Sequence, residues 1–284
     1  MDDFPYLGHG IGLRTKHFPR VLDGSLAVDW LEVISENFMI RGGRPLAVLE
    51  KARAAVPVVL HGVSLSLGST DPLSEGYLRA LGDLVARFAP AWVSDHLCWG
   101  SVAGRHAHDL LPLPFTEEAV ALVAGRVRAV QERLGRRILV ENVSSYLTYT
   151  HSTMTEWDFL TAVAEEADCG ILLDVNNVYV SASNHGFSAE DYLDGVPPER
   201  VGQIHLAGHS DKGTHLLDTH DGPVIAPVWR LYRRAVERFG RVSTLAEWDD
   251  RIPELEEVVA QAECARRIES EVCSEVQGGR ARSA

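Results

Sequence analysis

Cysteine is scarce in these 284 residues, and the four present, Cys98, Cys169, Cys264 and Cys273, never fall at C-x-x-C spacing. That excludes a disulfide framework and a thiolate zinc site. Lysine is scarcer still, with Lys16, Lys51 and Lys212 alone. At a formal net charge of −13 the chain lacks the basic surface that phosphate neutralisation needs, so nucleic acid is excluded as its main partner. No apolar run is long enough to cross a bilayer. No Gly-rich G-x-G-x-x-G or G-K-S/T turn follows any strand, so nucleotide binding has no support. The opening Met1-Asp-Asp-Phe-Pro-Tyr6 is acidic and has no basic-then-apolar secretion signal, so a cytoplasmic location is expected.

What the chain does have is a repeated phrase: a short apolar run that stops at Asp, Glu or His. The central example is Arg137-Ile-Leu-Val-Glu-Asn-Val143. Ile138, Leu139 and Val140 read as a strand buried on both faces, and Glu141 follows where the run ends. A buried, unpaired carboxylate is costly, so Glu141 calls for a cation or a proton. Strands are expected over residues 7–13, 29–36, 57–61, 92–97, 137–143, 170–177, 201–206 and 241–247. Apolar residues at helical spacing predict helices over 44–55, 73–89, 116–134, 155–167, 188–193, 223–239 and 253–271. Thr116 and Ser188 are plausible N-caps. Residues holding His106, His108 and Asp109, and the polar stretch 210–222, read as loops.

Strand and helix alternate eight times with no Pro/Gly/Ser-rich linker between them. The expectation is an α/β protein with a single (β/α)8 TIM-barrel domain over 1–272 and a flexible C-terminal tail over 273–284. In such a barrel every strand ends at one face, so side chains there converge. Six expected strand ends carry His61, His96, Glu141, Asp174, His205 and Glu247. The loop after the seventh strand adds Asp218 and His220, spaced i, i+2. This imidazole and carboxylate set suits iron, manganese or zinc, and it is too large for one ion. Each residue alone has a bland reading as a satisfied structural group. Six on one face would cost many kcal/mol to pack without cations.

Around them, Glu141 and Asp95 are expected nearest the chemistry, Asp95 as the partner that orients His96. Glu36 and Asn37 are expected to line the pocket, and His185 and His209 to bind substrate. Arg14, Lys16, His106, His108, His151 and His215 are expected in solvent, His9 and His17 in structural or solvated positions, and Cys98 in packing.

Seven motifs together carry a resemblance: Gly10-Ile-Gly-Leu-Arg14, Trp30-Leu-Glu-Val-Ile-Ser-Glu-Asn37, Leu60-His-Gly-Val-Ser-Leu65, Ser94-Asp-His-Leu97, Val140-Glu-Asn-Val143, Leu173-Asp-Val-Asn-Asn177 and Gln203-Ile-His-Leu-Ala-Gly-His209. Across about residues 7 to 265 the chain resembles the DUF692 or UPF0276 family of multinuclear non-heme iron-dependent oxidases. The resemblance implies a xylose-isomerase-like barrel, two or three irons of mixed Fe(II)/Fe(III) valence, and dioxygen as co-substrate. It implies oxidation of cysteine residues in a ribosomally made precursor peptide, beginning with loss of a hydrogen from the cysteine β-carbon while the thiolate is held by iron. A partner protein that delivers the peptide is also implied. By motif, His61, His96 and Glu141 would hold one ion, and Glu141, Asp174, His205 and Glu247 a second. Asn177, or the adjacent Asn176, would hold a third with Asp218 and His220.

Two other readings stand beside it. A sugar isomerase or an endonuclease IV-like hydrolase would use a similar strand-end set, but the first wants a catalytic lysine or histidine and the second a basic groove. A non-catalytic metal- or peptide-binding barrel is the other.

Overall fold

Short β-branched and apolar runs supply the strands, and in the computed structural model eight of them close a parallel barrel. The structure describes residues 4–283, with side chains through 275. The barrel strands are β1 His9–Gly12, β2 Leu31–Ile34, β3 Val58–Gly62, β4 Val93–His96, β7 Leu139–Glu141, β8 Gly170–Asp174, β9 Val201–Leu206 and β12 Ser243–Ala246. Their order around the wall is β1-β12-β9-β8-β7-β4-β3-β2, with β2 returning to β1. Two antiparallel hairpins decorate the C-terminal face. One pairs β5 Trp99–Val102 with β6 Arg105–Leu111, the other β10 Ser210–Asp211 with β11 Leu216–Leu217.

The helical layer comprises α1 Phe18–Leu22, α2 Arg44–Ala55, α3 Glu75–Phe88, α4 Glu117–Leu134, α5 Glu156–Ala167, α6 Val175–His185, α7 Ala189–Gly195, α8 Ala226–Phe239 and α9 Leu255–Ser283. Side-chain caps set several starts. Thr116, Thr155 and Ser188 each accept from the backbone N–H three residues on, which satisfies a donor the helix cannot.

Two expectations are corrected here. The stretch read as a loop around His106 and His108 is largely the β5–β6 hairpin. It is polar and exposed, so it lacks the apolar alternation that marks a strand. Residues 175–177, read as the end of the sixth strand, open α6, because Asp174 caps that helix by accepting from Asn177 N at 2.6 Å. The last helix, expected to end at 271, continues as α9 through Ser283 and so takes in most of the stretch expected as a tail at 273–284.

Strand side chains alternate, so each barrel strand sends every second residue inward. The lower interior is an apolar plug of Trp30, Val59, Trp92, Leu139, Leu172 and Leu245, all fully buried. The two indoles meet edge to face at 5.7 Å. Gly10 belongs to this packing, since a Cβ there would overlap the Trp30 ring. Two residues further along the same strands stand Glu32, His61, Ser94, Glu141, Asp174 and Glu247. The plug thus seals one end of the barrel and sets polar side chains above it.

Candidate metal centre

Glu141 sits at the middle of the polar layer and is 1 % exposed. Its Oε2 lies 3.2 Å from His61 Nε2 and 3.4 Å from His96 Nε2, and those two nitrogens are 3.4 Å apart. Its Oε1 lies 3.5 Å from His205 Nδ1, which is 3.0 Å from Glu247 Oε2. Ligand atoms bonded to a common ion at about 2.1 Å stand roughly 3 to 3.4 Å apart. Glu141 Oε2, Asp174 Oδ2 and Asn177 Oδ1 are buried oxygens with no hydrogen-bond partner, while His205 Nδ1 and His220 Nε2 face carboxylate oxygens of Glu247 at 3.0 Å and Asp218 at 2.7 Å. Such orphaned atoms would be costly in an ordinary core. Converging lone pairs are what a cation needs. Four overlapping groups bring such atoms within 4.8 Å of one another: His61, His96 and Glu141; Glu32, His205 and Glu247; Glu141, Asp174 and His205; Asp174, His220 and Glu247. In the second, Glu32 meets His205 at Nε2, the ring nitrogen turned away from Glu141.

Each imidazole is held by its other nitrogen. His61 Nδ1 is 2.8 Å from Ser94 Oγ, and His96 Nδ1 is 3.0 Å from the Gly62 carbonyl. His205 Nε2 is 3.1 Å from Glu32 Oε2, and His220 Nδ1 is 3.2 Å from Asp249 Oδ2. Holding one nitrogen orients the ring and presents the other to an ion.

The electrostatics follow from this crowding. Burial alone would lower the pKa of His205, but Glu32, Glu247 and Glu141 outweigh it and raise the pKa well above the ordinary value. His220 is raised in the same way, chiefly by Asp218 and Glu247 against burial. His61, with histidine neighbours and full burial, is pushed well down. Burial raises Asp174 well above the carboxylate range. Burial would also raise Glu247, yet His205 and His220 hold it well below.

Above the cluster opens a cavity of about 200 Å³. His61, His96, Asn177, Asp218, His220 and Glu247 line it, while Glu141, Asp174 and His205 form the nearly inaccessible layer beneath. Asn177, not Asn176, offers its oxygen here. Asn177 Nδ2 donates to the Asn142 carbonyl, which leaves Oδ1 free. Asn176 is occupied, donating to Asp218 Oδ1 at 2.7 Å and facing His209 Nδ1 at 2.7 Å. His220 is held at φ +45°, a left-handed conformation that costs a non-glycine residue about 1 kcal/mol or more.

Several expected site residues lie elsewhere. Asp95 does not orient the His96 ring. It precedes an inward residue, so strand alternation turns it outward beneath α3. There it accepts from His96 N at 2.8 Å and Leu65 N at 3.3 Å. Burial raises its pKa to about 7, with His96 opposing and Glu36 adding. Glu36 accepts from Tyr77 OH at 2.7 Å and Val63 N at 2.9 Å, bracing the β3–α3 connection instead of lining the cavity. Asn37 is exposed and outside the cavity lining. His185 meets Ser145 Oγ at 2.8 Å beside a separate pocket of about 260 Å³. His209 stacks on Tyr179 at 5.4 Å.

Arg14 is not solvated. It reaches the polar layer through space that a Cβ on Gly12 would fill. The expectation also missed Glu32, and it missed Asp109, Tyr146 and Asp249, which line the cavity from loops and the β6 strand. Glu32 had a signal: it stands two residues after Trp30, the same offset that separates Val59 from His61 and Leu139 from Glu141. The loop residues had none, because no strand end marks them.

Comparison with known proteins agrees with the geometry. The barrel superposes on endonuclease IV from Thermus thermophilus, with a TM-score of 0.61 at 18 % identity, covering 94 % of this chain and 100 % of that one. It also superposes on a D-psicose 3-epimerase, with a TM-score of 0.59 at 13 % identity, covering 93 % and 97 %. At those identities the likeness shows a xylose-isomerase-like TIM barrel and nothing further. In sequence, the chain is 62 % identical over 273 residues to a UPF0276 protein of Anaeromyxobacter sp. (strain Fw109-5), covering 96 % of each. It is 52 % identical over 258 residues to a UPF0276 protein of Acaryochloris marina, covering 91 % and 93 %. The family model described as RiPP precursor modification enzyme MbnB/TglH/ChrH matches residues 8–270. The chain belongs to this MbnB/TglH/ChrH family of enzymes that modify ribosomally made precursor peptides.

Proposed function

We propose that this protein is a multinuclear iron-dependent oxidase that uses dioxygen to modify cysteine residues of a ribosomally made peptide. The observation that carries the reading is the two-sided carboxylate of Glu141, with Oε2 toward His61 and His96 and Oε1 toward His205. A carboxylate so placed could hold one cation on each oxygen. His61, His96 and Glu141 would hold one ion, and Glu141, Asp174, His205 and Glu247 a second. Asn177, Asp218 and His220 would hold a third.

Iron at these positions would supply the oxidation by dioxygen, which no side chain here can perform. The protein's share is geometry and exclusion of water. Ile34, Val63, Leu110 and Val143 give the cavity apolar walls, of a size suited to a small side chain such as cysteine. Asp109 and Tyr146 stand at its edge and would meet the peptide backbone on either side. The chain's own Cys98 is buried, its thiol raised well above the usual range first by burial and then by Asp95 and Glu141. It packs and does not react. The Cys-containing peptide, the partner that delivers it and a cytoplasmic setting are parts of the same proposal. Among the described residues no helix is long and apolar enough to cross a membrane.

Elemental analysis of protein purified without added metal tests the reading. More iron than zinc, at above one ion per chain, is expected; a single zinc or no metal overturns it. Oxygen uptake should depend on a Cys-containing peptide. Turnover of a free sugar without oxygen would favour an isomerase.

A further inference from the structure

We propose that Glu32 is a positioning residue that makes His205 bind its cation through Nδ1, whereas His61 and His96 bind through Nε2. The proposal rests on the metal-centre reading above and assigns a role to a residue outside the ligand set.

The ring orientations differ. His61 and His96 both turn Nε2 toward Glu141 Oε2. His205 is reversed, with Nδ1 toward Glu141 and Glu247, and Nε2 pointing down toward the plug. A neutral imidazole has one N–H and one lone pair. For Nδ1 to offer its lone pair, Nε2 must carry the hydrogen and find an acceptor. Among the described residues that acceptor is Glu32 Oε2, at 3.1 Å.

A competitor stands beside it, and its orientation is fixed. Trp92 Nε1 can only donate, and it donates to Gln203 Oε1 at 2.5 Å. The Gln203 amino group is therefore turned the other way, 2.6 Å from Glu32 Oε2 and 2.7 Å from His205 Nε2. Gln203 can donate to Nε2 and so favour the tautomer with hydrogen on Nδ1, which cannot ligate. Glu32 favours the opposite tautomer. All four side chains are fully or almost fully buried, so water offers no third option. Glu32 does not share the His205 ion, because it faces the far nitrogen of the ring. A carboxyl oxygen thus stands behind His205 where the second partners of His61 and His96 are a hydroxyl and a carbonyl.

The test uses zinc as a diamagnetic probe on metal-free protein with 15N-labelled histidine. In the wild type, nitrogen shifts should show His205 bound through Nδ1 with hydrogen on Nε2, and His61 bound through Nε2. Glu32→Met, which removes the acceptor, should weaken zinc binding roughly 10- to 100-fold and abolish the His205 Nε2–H resonance. Glu32→Gln keeps an accepting oxygen and should restore part of both, a rescue that a merely structural role would not give. Wild-type His205 bound through Nε2, or full affinity and an unchanged resonance in Glu32→Met, overturns this proposal alone. Failure of the wild type to bind zinc at all would overturn the metal-centre reading and this proposal with it.

Discussion

Arg14 reaches from just beyond β1 to within 3.7 Å of Glu247, while its Nε donates to the Trp248 carbonyl at 2.9 Å. The same guanidinium pairs with Asp249. Arg14, read with Lys16 as a solvated basic pair, thus closes one wall of the polar layer. Asp249 is partly exposed and Glu247 keeps His205 and His220 beside it, so removing the guanidinium costs about 1 kcal/mol. Arg14→Met should therefore lower the unfolding free energy of the metal-free protein by an amount of that order. The loss should shrink once metal is added, since bound cations neutralise the same carboxylates. Urea denaturation with and without zinc checks this, and equal losses in the two states would count against it.

The two-sided placement of the Glu141 carboxylate separates it from the other candidate ligands. Glu141→Gln should deplete two metal positions, whereas His61→Ala should deplete one and leave the His205 side filled. Metal-to-protein ratios after identical preparation decide the matter. If Glu141→Gln costs no more metal than His61→Ala, the bridge is wrong.

How far these positions were legible in the chain follows from strand physics. His61, Glu141 and Asp174 are each the first polar side chain after an apolar stretch, so the break in the apolar run marked them. Glu32 escaped because it lies inside its run, between Leu31 and Val33. Only the two-residue offset from the Trp30 plug reveals it. Asp95 was misplaced although its neighbour His96 was not: adjacent strand residues face opposite sides, and the pair cannot both point into the barrel. Asn177 escaped as a helix residue because Asp174 serves two ends at once, ending the strand and capping α6. Asp109 lies on an exposed hairpin, whose polar strands carry no periodic signal and whose placement over the cavity is tertiary.

The two asparagines give a local test of that last turn. Asn177→Ala removes the oxygen that faces the cavity and should lower the occupancy of the Asp218 and His220 position. Asn176→Ala removes a second contact of Asp218 and His209 and should act more weakly on metal content. Partial loss confined to Asn177→Ala is expected from metal analysis. The reverse ranking would return Asn176 to the ligand set.

Metal loading should also be linked to protons, with a definite sign. The pKa values of His205 and His220 are raised well above their unfolded values in the metal-free fold, where neighbouring carboxylates outweigh burial. The stability they contribute is fully present below the unfolded value near 6.5. It is lost as pH rises through their raised values. A cation needs both rings unprotonated, so it must displace those protons at neutral pH. Zinc added to metal-free protein in weak buffer at pH 7 should release protons, and its affinity should climb with pH until the raised values are passed. The metal-free protein should lose stability over the same upward range, while the loaded protein should not. A pH electrode during titration, with melting curves at pH 6 and pH 9, reads both. Zinc uptake without proton release would mean that the two histidines are already neutral and that Glu32, Glu247 and Asp218 do not hold their protons.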